Sequence, residues 1–322
     1  MNIELHAFAG PRGWPEPGCR CASCNRLRLA GVRHEPTGAV VDGVPLEDCP
    51  RTDVPGGYDA TAPHGEQLLV ASGPGERPDP VLDVTYDAVL LDLIGAPEHL
   101  GYLRHAGAVS SHTTVLAVHV DHRVSSLAEL ERRVAFFQRP QEGPFRTLLL
   151  GGARSGKSAE AELRLAAHPD VTYVATGMTR DDDPEWTERI TAHRSRRPAW
   201  WRTVETTDLE GALKSATGAL LIDGIGTWLT AAIDEAGAWD DPAQVRPRLD
   251  GLIAAWRATE ARVVAVSDEV GLSLVPTTPS GRAFRDLLGH LNQRLAAESE
   301  EAALVVAGRV TELGTVPGPE RG

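Results

Sequence analysis

The sequence has no apolar run that approaches the ~20 residues of a membrane-spanning helix, and its first residues lack the charged-then-apolar pattern of a signal segment. These absences predict a cytoplasmic chain without a membrane span. Basic residues are fewer than acidic ones: the chain has 32 Lys and Arg and 45 Asp and Glu, which gives a formal net charge of -13. An acidic protein repels phosphodiester backbones and anionic lipids, so we expect neither nucleic acid nor a membrane surface as its main partner.

Cysteine is scarce, with 4 in 322 residues, which excludes a disulfide scaffold. Three of the four, Cys19, Cys21 and Cys24, form a C-x-C-x-x-C loop, a spacing typical of metal binding. A structural zinc ion takes four ligands, and His119 and His122 offer further nitrogen at a predicted strand end. Three reduced cysteines without metal are the alternative.

The two halves of the chain differ in amino-acid composition and in predicted secondary structure. Residues 1–142 are rich in glycine, proline and turn dipeptides, and 138–144 reads as a linker because it holds two prolines and a glycine. We therefore expect domains at 1–142 and 143–322. In the first half the apolar spacing predicts strands at 39–41, 67–71 and 86–93 and a helix at 126–137.

In the second half short apolar strands alternate with helices, which predicts a mostly parallel sheet covered by helices on both faces. The predicted strands are 147–150, 171–175, 219–222, 263–266 and 303–306, and the predicted helices are 158–167, 183–193 and 282–298.

The stretch 145–158 is an apolar strand that runs directly into G-x-x-x-x-G-K-S. Gly151, Gly152 and Gly156 permit the tight turn in which successive backbone N–H groups surround a phosphate chain. Lys157 adds a positive charge for the β- and γ-phosphates, and the Ser158 hydroxyl suits a magnesium ion. A strand before the loop and a helix after it predict a nucleotide-binding enzyme of the P-loop NTPase type.

A carboxylate for the same magnesium ion is predicted at Asp223, which follows the strand at 219–222. With Ser158 it would form the metal site. The alternative is an ordinary strand-end turn formed by Asp223 and Gly224.

The segment around His193 places one imidazole beside Arg194, Arg196 and Arg197. Guanidinium groups match phosphate oxygens, and a neutral imidazole can attack phosphorus, so the segment suggests a phosphate path with a nucleophile. A solvated basic helix end would have the same composition, and the residue types alone do not decide between the two.

A series of motifs in one order decides this point. They are GGARSGKS at 151–158, YVAT at 173–176, ERI at 188–190, HRSRRP at 193–198, WRTVE at 201–205, LID at 221–223, WL at 228–229, SDEVG at 267–271, FRDL at 284–287 and LNQRL at 291–295. This series resembles the bifunctional adenosylcobinamide kinase/adenosylcobinamide-phosphate guanylyltransferase family of cobalamin biosynthesis over residues 146–313.

The resemblance implies phosphorylation of adenosylcobinamide by GTP or ATP, then transfer of GMP from GTP through a guanylyl-histidine intermediate. The matching nucleophile is His193, and Lys157 would serve the kinase step. The resemblance also implies Mg²⁺ and a homo-oligomer. The implied nucleotide contacts are Gly151, Gly152, Ala153, Arg154, Ser155, Gly156, Lys157, Ser158, Ala175, Thr176, Gly177, Arg194, Ser195, Arg196, Arg197, Glu205 and Asp223. One departure is Asp268, where the family usually has Asn, and this change could tune nucleotide or corrinoid contacts.

The first half resembles a shortened metallo-β-lactamase-fold phosphodiesterase with a C-x-C-x-x-C zinc loop, a smaller α+β domain. That resemblance implies a structural zinc held by Cys19, Cys21, Cys24 and His122, and places His119 with the catalytic metals. The H-x-H-x-D-H ligand motif of the fold is missing, so we expect a degenerate domain without hydrolase activity. An active zinc hydrolase is the alternative for the first half. For the second half the alternatives are a P-loop regulator that binds nucleotide without transferring it and a small-molecule kinase without guanylyl transfer.

Overall fold

The computed structural model describes residues 1–139, 141, 143–177 and 197–315. Contacts between Cα atoms divide the chain into two compact units, Met1–Pro140 with Ala166–Pro169, and Gln141–Leu165 with Asp170–Gly322. Among the helices described, none is long and apolar enough to cross a membrane.

The first unit contains two sheets. An antiparallel three-stranded sheet consists of β1 (Ile3–Ala7), β2 (Gly38–Val41) and β3 (Val44–Pro45). A five-stranded sheet, antiparallel from β4 to β6 and parallel from β6 to β8, consists of β4 (Arg51–Val54), β5 (Gly57–Thr61), β6 (Gln67–Ala71), β7 (Ala88–Leu91) and β8 (Thr114–Ala117). The helices are α1 (Ala22–Leu29), α2 (Glu98–His105), α3 (Leu127–Gln138) and a 3₁₀ turn, Leu46–Asp48.

The predicted elements of this half are confirmed. The strands predicted at 39–41, 67–71 and 86–93 correspond to β2, β6 and a shorter β7, and the helix predicted at 126–137 is α3. This helix begins where predicted because the Ser126 hydroxyl accepts a hydrogen bond from the Glu129 N–H, 3.2 Å away. Phe136 and Phe137 are buried at its end.

The second unit contains one seven-stranded sheet. Its strands are β9 (Phe145–Gly151), β10 (Val171–Ala175), β11 (Arg202–Glu205), β12 (Ala219–Asp223), β13 (Arg262–Asp268), β14 (Glu301–Val306) and β15 (Arg309–Thr315). The spatial order is β11-β10-β12-β13-β9-β14-β15, and every pair is parallel except β14 with β15. The described helices are α4 (Lys157–Leu165), α5 (Leu209–Ser215), α6 (Ile225–Ala236), α7 (Arg246–Ala258), α8 (Pro279–Ala297) and a 3₁₀ turn, Pro242–Val245.

Helices cover both faces of this sheet, as predicted. Alternate residues of each strand point to opposite sides, so Leu148 belongs to one apolar cluster with Trp228 of α6 and Trp256 of α7. Leu149 belongs to the other cluster, with Ala161 and Leu165 of α4. The strands of the central sheet are therefore buried on both sides, which is why they read as continuous apolar runs.

Several boundaries and two strands differ from the prediction. Helix α4 begins one residue earlier than predicted and ends at Leu165, and α8 begins at Pro279 because the Thr278 hydroxyl caps the N–H of Gly281 at 3.1 Å. Strands β11 and β15 lie at the two edges of the sheet, and their polar sequences gave no apolar signal. The helix predicted at 183–193 lies outside the described residues.

Candidate functional site

The phosphate loop lies between β9 and α4, as predicted. Arg154 and Gly156 have positive φ, 56° and 99°. The φ of Gly156 lies in a region that glycine adopts far more readily than other residues. A Cβ on Gly151 would lie 2.5 Å from the Ser155 Oγ and 2.6 Å from the Val305 carbonyl oxygen. Only glycine fits at residue 151, and the start of the loop is held against β14.

Lys157, the first residue of α4, has two partners. Its Nζ lies 2.9 Å from the Asp268 Oδ1 and donates to the Gly152 carbonyl oxygen at 3.1 Å. The lysine therefore points back over the loop that it follows. Ser158 is the next residue of α4, half-buried in its first turn.

Strand register brings the predicted carboxylates to the carboxyl edge of the sheet, that is, the side on which the parallel strands end. Glu205 of β11 and Asp223 of β12 both pair with Ala175 of β10, one on each side. At the same edge Asp268 of β13 pairs with Gly151 of β9. These residues end parallel strands, the position at which open α/β sheets bind ligands.

Asp223 has a hydrogen-bond partner that the sequence analysis missed. The Tyr173 hydroxyl donates to the Asp223 Oδ2 at 2.5 Å. Burial, together with the neighbouring Asp223 carboxylate, raises the pKa of Tyr173, so the phenol stays protonated and keeps donating. One oxygen of the carboxylate is thereby oriented by the protein.

Arg197 is the last arginine of the predicted cluster and the first described residue after the gap at 178–196. Its guanidinium lies 3.2 Å from the centre of the Tyr173 ring, and its Nη1 donates to the Thr203 Oγ1 at 3.2 Å. Arg197, Tyr173 and Asp223 thus form a continuous row. His193, Arg194, Ser195 and Arg196 lie outside the described residues.

At the carboxyl edge of the sheet, Thr176 joins the end of β10 to the segment that connects β12 with α6. Its backbone N–H donates to the Asp223 carbonyl oxygen at 3.2 Å, and its hydroxyl lies 2.5 Å from the Thr227 hydroxyl. The same Thr176 hydroxyl accepts from the Gly224 N–H at 3.0 Å. These bonds fix the turn that leads from β10 into Gly177 against the start of α6.

The oxygen groups at this edge suit a divalent metal. Mg²⁺ prefers carboxylate and hydroxyl oxygens and keeps several waters, so it needs only one or two protein ligands. Asp223 has an oriented carboxylate, and Ser158 follows Lys157 on the helix that starts at the loop. The donor set fits the predicted magnesium site.

The first unit contains a separate group of soft ligands. One ligand atom each from Cys19, Cys24 and His122 lies within 4.8 Å of the other two. Thiolate sulfur and imidazole nitrogen are the donor types that zinc binds, and bonds of about 2.0–2.3 Å to a tetrahedral zinc ion place such atoms roughly 3.5–4 Å apart, a separation that this group approaches. Cys21 does not belong to this three-residue group, but its Sγ accepts from the Cys24 N–H at 3.4 Å.

The protonation of these thiols depends on their surroundings. The Cys24 backbone N–H, the main cause, lowers the pKa of Cys21. Burial raises the pKa of Cys24 to about 11. His119, the other predicted histidine, has φ of 56° and its Nε2 lies 3.0 Å from the Ala71 carbonyl oxygen. It is not a member of the three-residue group.

Comparison with known proteins gives one family and several close relatives. Residues 147–313 match the family described as cobinamide kinase / cobinamide phosphate guanyltransferase. A protein of Salmonella typhimurium named "Bifunctional adenosylcobalamin biosynthesis protein CobU" is 40% identical over 174 residues, which cover 50% of this chain and 95% of the relative. Its namesake in Escherichia coli is 37% identical over 174 residues, with the same coverage. "Bifunctional adenosylcobalamin biosynthesis protein CobP" of Pseudomonas aeruginosa is 40% identical over 169 residues, 51% of this chain and 94% of the relative.

Proposed function

The chain belongs to the cobinamide kinase/cobinamide phosphate guanyltransferase family, and on that basis we propose how its residues divide the two reactions. The chain is a bifunctional transferase of cobalamin biosynthesis that phosphorylates adenosylcobinamide and then adds GMP. One observation carries the assignment: the phosphate loop of residues 151–158 and Asp223 lie at the same carboxyl edge of the sheet, inside the matched region.

The kinase step relies on charge at the phosphate loop. Backbone N–H groups of the loop and the Lys157 ammonium would bind the β- and γ-phosphates and stabilise charge on the transferred phosphoryl group. Ser158 and Asp223 would hold Mg²⁺, which neutralises phosphate charge when bound. The acceptor is the aminopropanol hydroxyl of adenosylcobinamide, and the family resemblance supports this choice.

The guanylyl step relies on His193. Its neutral imidazole nitrogen attacks the α-phosphorus of GTP, an N–P bond forms, and pyrophosphate leaves. The phosphate of adenosylcobinamide phosphate then displaces the histidine, which completes GMP transfer in two easier steps. Support comes from the motif register and from Arg194, Arg196 and Arg197 beside it in the sequence.

Variants separate the two steps. Lys157→Ala should lower phosphoryl transfer from the γ-position of a labelled nucleotide to cobinamide by at least about 100-fold. His193→Ala should abolish guanylyl transfer and retain most of the kinase activity. His290→Ala, an exposed histidine of α8, is the matched control and should leave both steps unchanged. Retained guanylyl transfer in His193→Ala would refute this division of roles.

We also propose a structural zinc ion bound by Cys19, Cys21, Cys24 and His122. The proximity of three of these four side chains supports it. Metal analysis of purified protein should give about one zinc per chain, and Cys19→Ser should lose it. Cys49→Ser is the control, because that buried thiol lies in a different apolar cluster. Equal zinc content in wild type and Cys19→Ser would contradict the site.

The first unit is proposed to be a shortened metallo-β-lactamase-like domain without hydrolase activity. The absence of the H-x-H-x-D-H motif from the sequence supports the second part. Metal-dependent turnover of a phosphodiester with added zinc or manganese would refute it. The proposed homo-oligomer can be checked by light scattering of the purified protein.

A further inference from the structure

Asp268 is a charged residue at the phosphate loop to which neither reaction has assigned a role. Its Oδ1 lies 2.9 Å from the Lys157 Nζ, and its side chain is 45% exposed while that of Lys157 is 14% exposed. The lysine that a nucleotide needs is therefore paired with a carboxylate of the protein itself.

Strand pairing fixes the position of this carboxylate. Asp268 pairs with Gly151 across β13 and β9, and the next residue, Glu269, donates its backbone N–H to the Gly151 carbonyl oxygen at 3.1 Å. A Cβ on Gly226, in the first turn of α6, would lie 2.9 Å from the Asp268 Oδ2. Strand pairing thus holds the backbone of Asp268 beside the start of the loop, and its carboxylate lies between the loop and the first turn of α6.

Nucleotide binding changes the electrostatic balance at this carboxylate. When the Lys157 ammonium binds phosphate oxygens instead of the Asp268 carboxylate, the negative charge of Asp268 remains within a few ångströms of a polyanion. A divalent cation on the phosphates lowers their negative charge and therefore weakens this repulsion. A nucleotide without metal meets the full repulsion.

We propose that Asp268 is a specificity-determining residue that makes the phosphate loop select metal-bound over metal-free nucleoside triphosphate. This inference rests on the proposed function, because it requires the loop to bind nucleotide. It does not depend on which residue performs either transfer.

The test is equilibrium binding of α,β-methylene-GTP, which resists cleavage at the α-phosphorus, by titration calorimetry with Mg²⁺ or with EDTA. Asp268→Asn keeps the shape and removes the charge. It should tighten metal-free binding about fivefold to tenfold, since one partly exposed charge at this range has an effect of that order. Binding of the metal-bound analogue should change less than twofold.

Glu269→Gln is the matched control, because it removes the same charge from the next residue, whose Oε1 accepts from the Gly271 N–H at 2.8 Å. Unchanged metal-free affinity in Asp268→Asn, or an equal gain in Glu269→Gln, would overturn the inference and leave the proposed function standing. Failure of the wild type to bind even the metal-bound analogue would overturn both. Asp268→Ser, with folding checked by circular dichroism, should shift the affinities in the same direction as Asp268→Asn.

Discussion

Helix α4, which begins at the phosphate-loop lysine, is anchored near its other end by a buried arginine. The Arg164 side chain is 3% exposed and contacts three carboxylates: Glu160 at 3.0 Å, Glu301 at 2.9 Å and Glu312 at 3.0 Å. The last two lie on β14 and β15, so the network joins the helix to the edge of the sheet.

Replacing Arg164 with Met should destabilise the second unit severely. The methionine fills part of the space but leaves neighbouring carboxylates without their shared cation. Loss of one partner from a buried ion pair costs about 3–5 kcal/mol. For a unit of this size each kcal/mol lowers the melting temperature by about 2–4 °C, so we expect a drop of roughly 6–20 °C.

Urea unfolding followed by circular dichroism measures this loss as a change in the free energy of unfolding. Arg248→Met is the control, because Arg248 of α7 is 39% exposed and its nearest carboxylate, that of Glu235, is 3.4 Å away. An exposed pair of this kind contributes about 0–1 kcal/mol. A loss below about 1 kcal/mol in Arg164→Met, or one no larger than in Arg248→Met, would show that the buried Arg164 network does not anchor α4.

Three further perturbations test other parts of the structure. Tyr173→Phe removes the hydroxyl that orients Asp223 at 2.5 Å, so kcat of the kinase step should fall about tenfold, as typical of a lost charge-assisted hydrogen bond; an unchanged kcat would contradict that role. Gly151→Ala places a methyl group 2.5 and 2.6 Å from neighbouring oxygens, so calorimetric titration should detect no nucleotide binding, and near-native affinity would count against the tight loop. Burial raises the pKa of Glu300, but hydrogen bonds from Arg146 outweigh burial and lower it overall; Glu300→Gln should therefore cost about 1 kcal/mol at pH 7. That difference should vanish as pH falls below the lowered pKa of Glu300, because the wild-type carboxylate is then protonated too, and a pH-independent difference in urea unfolding would contradict it.

The sequence predicted the central sheet well because its strands are buried on both faces. Runs such as the one at 219–222 are continuously apolar, and β12 is found there. Strand β11 was missed because a strand of sequence Arg-Thr-Val-Glu at the sheet edge has exposed residues and no such run. Its presence follows from the pairing with β10, a tertiary contact that local sequence does not encode.

The candidate site was predicted in its parts but not in its contacts. The phosphate loop has a local motif, so Lys157 and the glycines could be identified from spacing alone. The pair between Lys157 and Asp268 depends on β13 lying next to β9, and strand order is not visible in a motif. Tyr173 was noted only as a family motif residue, and its bond to Asp223 follows from the pairing of β10 with β12.

The cysteine motif shows a similar division. The spacing of Cys19 and Cys24 indicated a metal site, and the structure places both close to His122. Their approach to a histidine so distant in the sequence depends on how the first unit folds. The residues alone suggested both His119 and His122 as further ligands, and only the family resemblance singled out His122.

The intact mass of the protein after incubation with GTP and Mg²⁺ shows whether His193 carries a guanylyl group. We expect one added guanylyl group in the wild type, labile in acid, stable in alkali and absent from His193→Ala. No adduct in a wild-type protein that demonstrably binds GTP, or an equal adduct in His193→Ala, would contradict the proposed guanylyl-histidine mechanism.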